Sequence, residues 1–175
     1  MSSLIVAGIL IAFVALCCLL FVFISNKLKN KAMSQLLNRI SESGSKNKLS
    51  FSSHEILRDC VISADGIHRK ILVVKRISLK TCQDYLIDLD EVKSCSVKKV
   101  YGSIRAGEAN EKSLQQHLQN IFLHFEFKND KPPFDVSFYD HAENNMHQLK
   151  ELELKAKHWE IILSKMLKAS EKKIA

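Results

Sequence analysis

The sequence predicts an α+β chain, mainly β. An N-terminal transmembrane helix leads into an antiparallel, partly open barrel of six to seven strands, capped by a C-terminal amphipathic helix. Three observations predict it. The twenty-one residues from Leu4 to Ile24 carry no charge, amide or hydroxyl. Most of the chain after residue 49 alternates apolar and polar side chains with period two. From Leu149 onward the apolar residues recur at spacings of three and four.

An apolar run of that length is enough to cross the roughly 30 Å hydrocarbon core of a bilayer as a helix, which places the span ends at Leu4 and Ile24. A cleaved signal peptide would need a basic start, a shorter apolar core and a small-residue cleavage site. Met1-Ser2-Ser3 has no charged side chain, and Phe23-Ile24-Ser25-Asn26 offers no such site. Positive residues near a span stay on the cytoplasmic side. Lys27, Lys29 and Lys31 follow the run at once, with Arg39 behind, and no Lys or Arg precedes it. The expected protein is therefore single-pass in a cell (inner or plasma) membrane, with the N-terminus outside and the rest cytoplasmic. Cys60, Cys82 and Cys95 fit a reducing compartment, being odd in number and without a C-x-x-C pair.

The net charge of +7 is unevenly spread. Residues 25–48 hold six basic groups against one acid, whereas residues 49–175 hold twenty against eighteen. The excess thus sits beside the expected span, where basic groups are drawn to an anionic leaflet, and no nucleic-acid partner is expected. Three regions follow: a transmembrane helix over 1–24, a basic juxtamembrane helix and linker over 25–48, and a domain over 49–175. Within the second, Leu28, Ala32, Leu36 and Ile40 form a helical stripe that gives way to the polar linker Ser41 to Asn47.

The strands are read next. Cys60 to Ser63 and His68 to Arg76 form a hairpin, with Asp65-Gly66 as a turn pair tolerant of positive φ. Tyr85, Ile87 and Leu89 alternate with polar neighbours, as do Cys95, Val97 and Lys99. Ile121 to Phe127 and Phe134 to Phe138 repeat the pattern, and Leu49 to Leu57 has room for a seventh strand. Short connections without intervening helices imply an antiparallel sheet with one buried face. Gly102 to Gln116 has no period and reads as a mobile loop.

Leu149, Leu152, Ala156, Trp159, Leu163 and Met166 form the stripe of the last helix, from about Asn144 to Ser170, with Asn144 or Asn145 as its cap. The stripe packs on the half-buried sheet, with a homodimer through this helix as the alternative.

Antiparallel strands followed by one amphipathic helix with a central tryptophan resemble a pleckstrin-homology-like domain of the membrane-anchored bacterial kind. The resemblance spans roughly residues 55–170 and is carried by Tyr85-Leu-Ile-Asp-Leu-Asp-Glu-Val92 and by Trp159. It implies seven strands in two near-orthogonal sheets, with the helix plugging one end, and it implies no shared catalytic residues.

No catalytic, cofactor or metal constellation emerges. Gly102-Ser-Ile-Arg-Ala-Gly107 has the glycine spacing of a P-loop, but Glu108-Ala109 replaces its Lys-Ser/Thr. His117 and His124, and His141 and His147, are spaced wrongly for two ligands on one face. Asp88 and Asp90 belong to a solvated strand face. Arg69, Lys70, Lys75 and Arg76, with Lys98 and Lys99, place cations on strands expected to be neighbours, a candidate anion or partner patch. The expectation is a non-enzymatic scaffold or adaptor that sits on the lipid bilayer and binds a protein partner there. The alternative is a sensor of anionic lipid or membrane surface.

Overall fold

The computed structural model describes residues 2–78, 81–102, 117–129 and 131–174, with backbone alone at 2–10, 12, 25, 26, 28, 29 and 169–174. The chain runs through α1 (Ser2–Lys46), β1 (Ser53–Ile56), β2 (Cys60–Asp65), β3 (Lys70–Arg76), β4 (Cys82–Asp88), β5 (Val92–Tyr101), β6 (Leu118–Phe127) and β7 (Phe134–Asp140). A 3-10 turn (Met146–Gln148) and α2 (Leu149–Ile174) close it. The chain is α+β, with antiparallel sheets ordered β1-β2-β3-β4 and β5-β6-β7. The expected loop from Gly102 to Gln116 lies, past Gly102, outside the described residues.

The transmembrane expectation is corrected. Among the described residues no helix is long and apolar enough to cross a membrane. The apolar run is not a separate element ending at Ile24; it belongs to one 45-residue helix whose later turns are polar and pack on the sheet. The span from Leu4 to Ile24, the single-pass topology, the membrane localisation and the cytoplasmic placement of the domain all rested on that element and fall with it. Side chains such as Phe13, Leu16, Leu19, Phe21 and Phe23 are exposed on this helix. The topology residues are equally recast: Lys27 and Lys31 are exposed helix positions, the Lys29 side chain lies outside those described, and Arg39 is held by Asp84 at 3.0 Å.

Ser41 to Asn47 is helix up to Lys46, not a flexible linker. The helix ends where Lys48 turns left-handed (φ 53°), with the Leu49 amide donating to the Gly44 carbonyl at 2.9 Å and the Lys48 amide to the Ser45 carbonyl at 3.2 Å. That pair of bonds is the Schellman arrangement, which satisfies the last carbonyls and folds the chain back on itself. Gly44 serves packing rather than flexibility: a Cβ there would meet the Phe51 ring at 2.6 Å.

The reversal lays α1 across the outer face of the first sheet. Leu36 and Ile40 pack with Val61, Leu72 and Val74, joined by Leu49, Phe51 and Ile56. The opposite faces of β2 and β3 carry Ile62, Ala64, Ile71 and Val73 into the main core with Leu123, Phe125, Phe138 and Trp159. β2 is therefore buried along its whole length, and the expectation of a sheet with one buried face is corrected there. Unbroken apolar runs such as Ile71-Leu72-Val73-Val74 are the sequence mark of a strand covered on both faces.

Ser63 is the cost of that arrangement, being fully buried with a hydroxyl that has no hydrogen-bond partner among the described residues. An unpaired buried hydroxyl destabilises by roughly 1–3 kcal/mol. Ser63→Ala is expected to raise stability by about 1 kcal/mol in urea melts, and a loss on substitution would mean that the hydroxyl is paired.

The β2–β3 turn is organised by Asp65. Its carboxylate accepts from the amides of Ser50 (2.7 Å), Ile67 (2.8 Å) and His68 (2.9 Å), and it meets the His68 ring nitrogen at 2.7 Å. The left-handed residue of the turn is Arg69 (φ 55°) and not Gly66. Burial by itself would push the Asp65 carboxyl up. The amides of His68 and Ser50, the His68 ring and the Ile67 amide together hold it well below the usual range. A carboxyl held low contributes stability that is complete above the unfolded-chain pKa of about 4 and is lost as the pH falls through and below it. Asp65→Asn is expected to cost about 1.5–3 kcal/mol at pH 7 and to flatten the fall in stability between pH 5 and pH 3. Denaturant melts across that range decide, and an unchanged acid limb would remove Asp65 from it.

α2 covers the core from one end, with Leu149, Leu152, Ala156, Trp159 and Leu163 buried and Met166 packed at the margin. Asn145 caps the 3-10 turn before it, accepting from the His147 amide at 3.2 Å while Gln148 accepts from the Asn145 amide at 3.2 Å. Among the described residues the stripe lies in the chain's own core, with single apolar positions such as Leu154 and Ile161 on the outside of the helix.

Candidate functional site

Between the two sheets, beside β7, a gap stays open. A cleft of about 410 Å³ runs along Phe134 to Phe138 of β7 and faces the β1–β2 turn and the end of β3. The turn is held from both sides: the Leu57 amide donates to the Cys60 carbonyl at 2.8 Å, and the Arg76 amide donates to the Asp59 carbonyl at 2.7 Å. The Arg76 guanidinium also pairs with the Asp59 carboxylate. At the other end, Asp140 shapes the turn after β7 by accepting from the Ala142 amide at 2.9 Å, while its own amide donates to the Asn144 side chain at 2.9 Å.

That turn carries Glu143 to Asp59. A shared hydrogen bond with Asp59, together with burial and the negative charge of Asp59, pushes the Glu143 carboxyl above its ordinary range. The pair ties the β7 exit to the β1–β2 turn. Cys60 lines the cleft, but its thiol is pushed up to about 12, chiefly by burial, and is no nucleophile near neutral pH. Among the described residues no group of three or more His, Cys, Asp or Glu side chains is placed to hold a metal. What the cleft presents is an apolar floor of Leu57, Val73, Val136 and Phe138, rimmed by charges and by a strand edge.

The structure divides the basic residues read as one patch. β3 pairs with β2 and β4, and β5 pairs with β6, so the expectation that these strands are neighbours is corrected. Arg69 is a brace, donating to Asp90 at 2.8 Å and to the Met166 carbonyl of α2 at 2.7 Å. Lys99 pairs with Glu153 of α2 at 2.9 Å. Lys70 lies opposite Asp88 in the β3–β4 register, and Lys98 is exposed on β5 opposite Phe122. Only Lys75 and Arg76 reach the cleft, together with Arg58, which the sequence reading did not single out. Arg58 stands in a short turn with no periodic signal around it, and its role depends on strands distant in sequence.

Compared with known proteins, the chain matches no family model, no curated protein and no solved structure.

Proposed function

We propose that residues 49–175 form a pleckstrin-homology-like module that acts without catalysis, as a scaffold or adaptor holding a protein partner in the cleft beside β7. Support for the family reading comes from seven strands arranged four plus three and from the terminal helix with Trp159 in the core. The single observation that carries the function is the open cleft along a strand edge that has no strand partner among the described residues, since a sheet edge with an adjoining apolar groove is a surface that peptide segments recognise. The rival, capture of an anionic lipid surface, loses its main support because Arg69, Arg76 and Lys99 are already ion-paired within the domain.

The test is site-specific photocrosslinking in cells producing the full chain. A photoreactive residue at Ser137, exposed on β7, is expected to give discrete protein adducts, and one at His158, exposed on α2, is expected to give none. Adducts of equal yield at both positions would remove the cleft as the binding surface. Flotation with vesicles of anionic lipid that is lost in Lys75→Glu would favour the lipid rival instead.

A further inference from the structure

We infer that the apolar first half of α1 is covered by the same segment of a second copy of this chain, packed antiparallel over residues 11–24. The inference stands apart from the cleft. Ten large apolar side chains between Ile11 and Ile24 are 53–75% exposed. Leu19, Leu20, Phe21 and Val22 are consecutive and all exposed, more than a full turn, so apolar surface runs round the whole helix. Together the ten present on the order of 1,000 Å², where the largest apolar patch on a monomer is about 300–600 Å². Covering half of that on each of two copies buries roughly 1,000 Å² in total, as a specific interface requires. The half left bare then falls within the ordinary range.

Among the described residues nothing of the chain's own fold covers this run. Ala32 is the first described side chain of α1 to be buried, and the helix seats Leu36 and Ile40 on the first sheet. Ile24 stands about 18 Å along the axis from Leu36, at 1.5 Å per residue. A second helix therefore reaches the run without disturbing the docked turns.

Composition selects the occupant. From Leu4 to Ile24 there is no charge, amide or hydroxyl by which a partner of different chemistry could be picked out. The segment that matches this one in length and in its lack of polar groups is its own copy. Charge then sets the direction. Lys27 and Lys31 follow the run and are exposed, and no acid occurs before Glu42. A parallel pair would bring these lysines together at one end, where like charges repel. An antiparallel pair centred near Val14 holds Lys27 of one copy about 40 Å along the axis from that of the other. That is several Debye lengths of about 8 Å, and it sets the two folded domains at opposite ends.

The experiment is sedimentation equilibrium of the full chain in buffer without detergent, with pulsed spin resonance to read the direction. A dimer is expected, and Leu16→Glu/Leu20→Glu is expected to weaken it at least a hundredfold. Neither side chain belongs to a core cluster, so the double variant is expected to keep a cooperative melt. Spin labels at Ile24→Cys, with Cys17, Cys18 and Cys82 replaced by alanine, are expected to lie about 30 Å apart, and labels at Val14→Cys about 10 Å. Cys60 and Cys95 are buried and stay unlabelled. A separation near 10 Å at Ile24 would mean a parallel pair and overturn the inference. So would a monomer, an assembly of any other size, or a dimer indifferent to the double variant. Flotation of a monomeric chain with phosphatidylcholine vesicles would give the cover to lipid, against the inference.

Discussion

Trp159→Ala is expected to abolish or nearly abolish the cooperative melt of the chain. The indole is 2% exposed and lies in the core cluster with Leu123, Phe125 and Leu152. Truncating a buried aromatic costs about 3–5 kcal/mol through lost transfer energy and the cavity left behind, out of a stability on the order of 5–15 kcal/mol. Trp159→Phe keeps most of the volume and is expected to recover about half of the loss. Urea melts of the three proteins, with sedimentation at two concentrations, make the check. A mutant that stays folded while its parent loses self-association would put the helix at a dimer seam and overturn its packing in the core.

Removing residues 1–48 is the second large effect. The cut at the expected domain boundary strips Leu36 and Ile40 from Val61, Leu72 and Val74, and it removes Arg39 and Ser43 from Asp84. Re-exposing each large apolar side chain costs about 1.5–3 kcal/mol. The fragment 49–175 is therefore expected to melt without cooperativity and to bind an apolar dye, whereas a fragment beginning at Lys27 keeps the contact and melts sharply. Point variants sharpen the test within the full chain. Leu36 is 0% exposed and Leu37 is 42% exposed. Leu36→Ala is expected to cost about 2–5 kcal/mol and Leu37→Ala no more than about 0.5 kcal/mol. A fragment 49–175 that melts as sharply as the longer one would make α1 dispensable.

Both effects trace to packing that the sequence displays unequally. The Trp159 stripe is legible because a helix repeats locally: residues three and four apart share a face whatever else the chain does. The strands are legible for the same reason, since alternation between Ile121 and Phe127 needs no knowledge of the partner strand. Even β1, short and between two loops, sits inside the stretch with room for a seventh strand. The docking of α1 was half written, in the stripe of Ala32, Leu36 and Ile40, but the apolar run before it drew the reading toward a bilayer.

The order of the strands, and the type and burial of the last helix, follow from the sequence by itself, because each depends on periods that close within a few residues. Three things were decided only by tertiary structure. Ser41 to Lys46 is helix because Gly44 meets Phe51 and Ser43 meets Asp84, contacts that no local composition announces. The basic residues separate into braces and free cations because β3 and β5 fall in different sheets, a matter of which strands pair across long stretches of chain. The cleft exists because β7 ends its sheet opposite the β1–β2 turn, and a sheet edge is defined by the strand that is not beside it, which no period in the sequence can record.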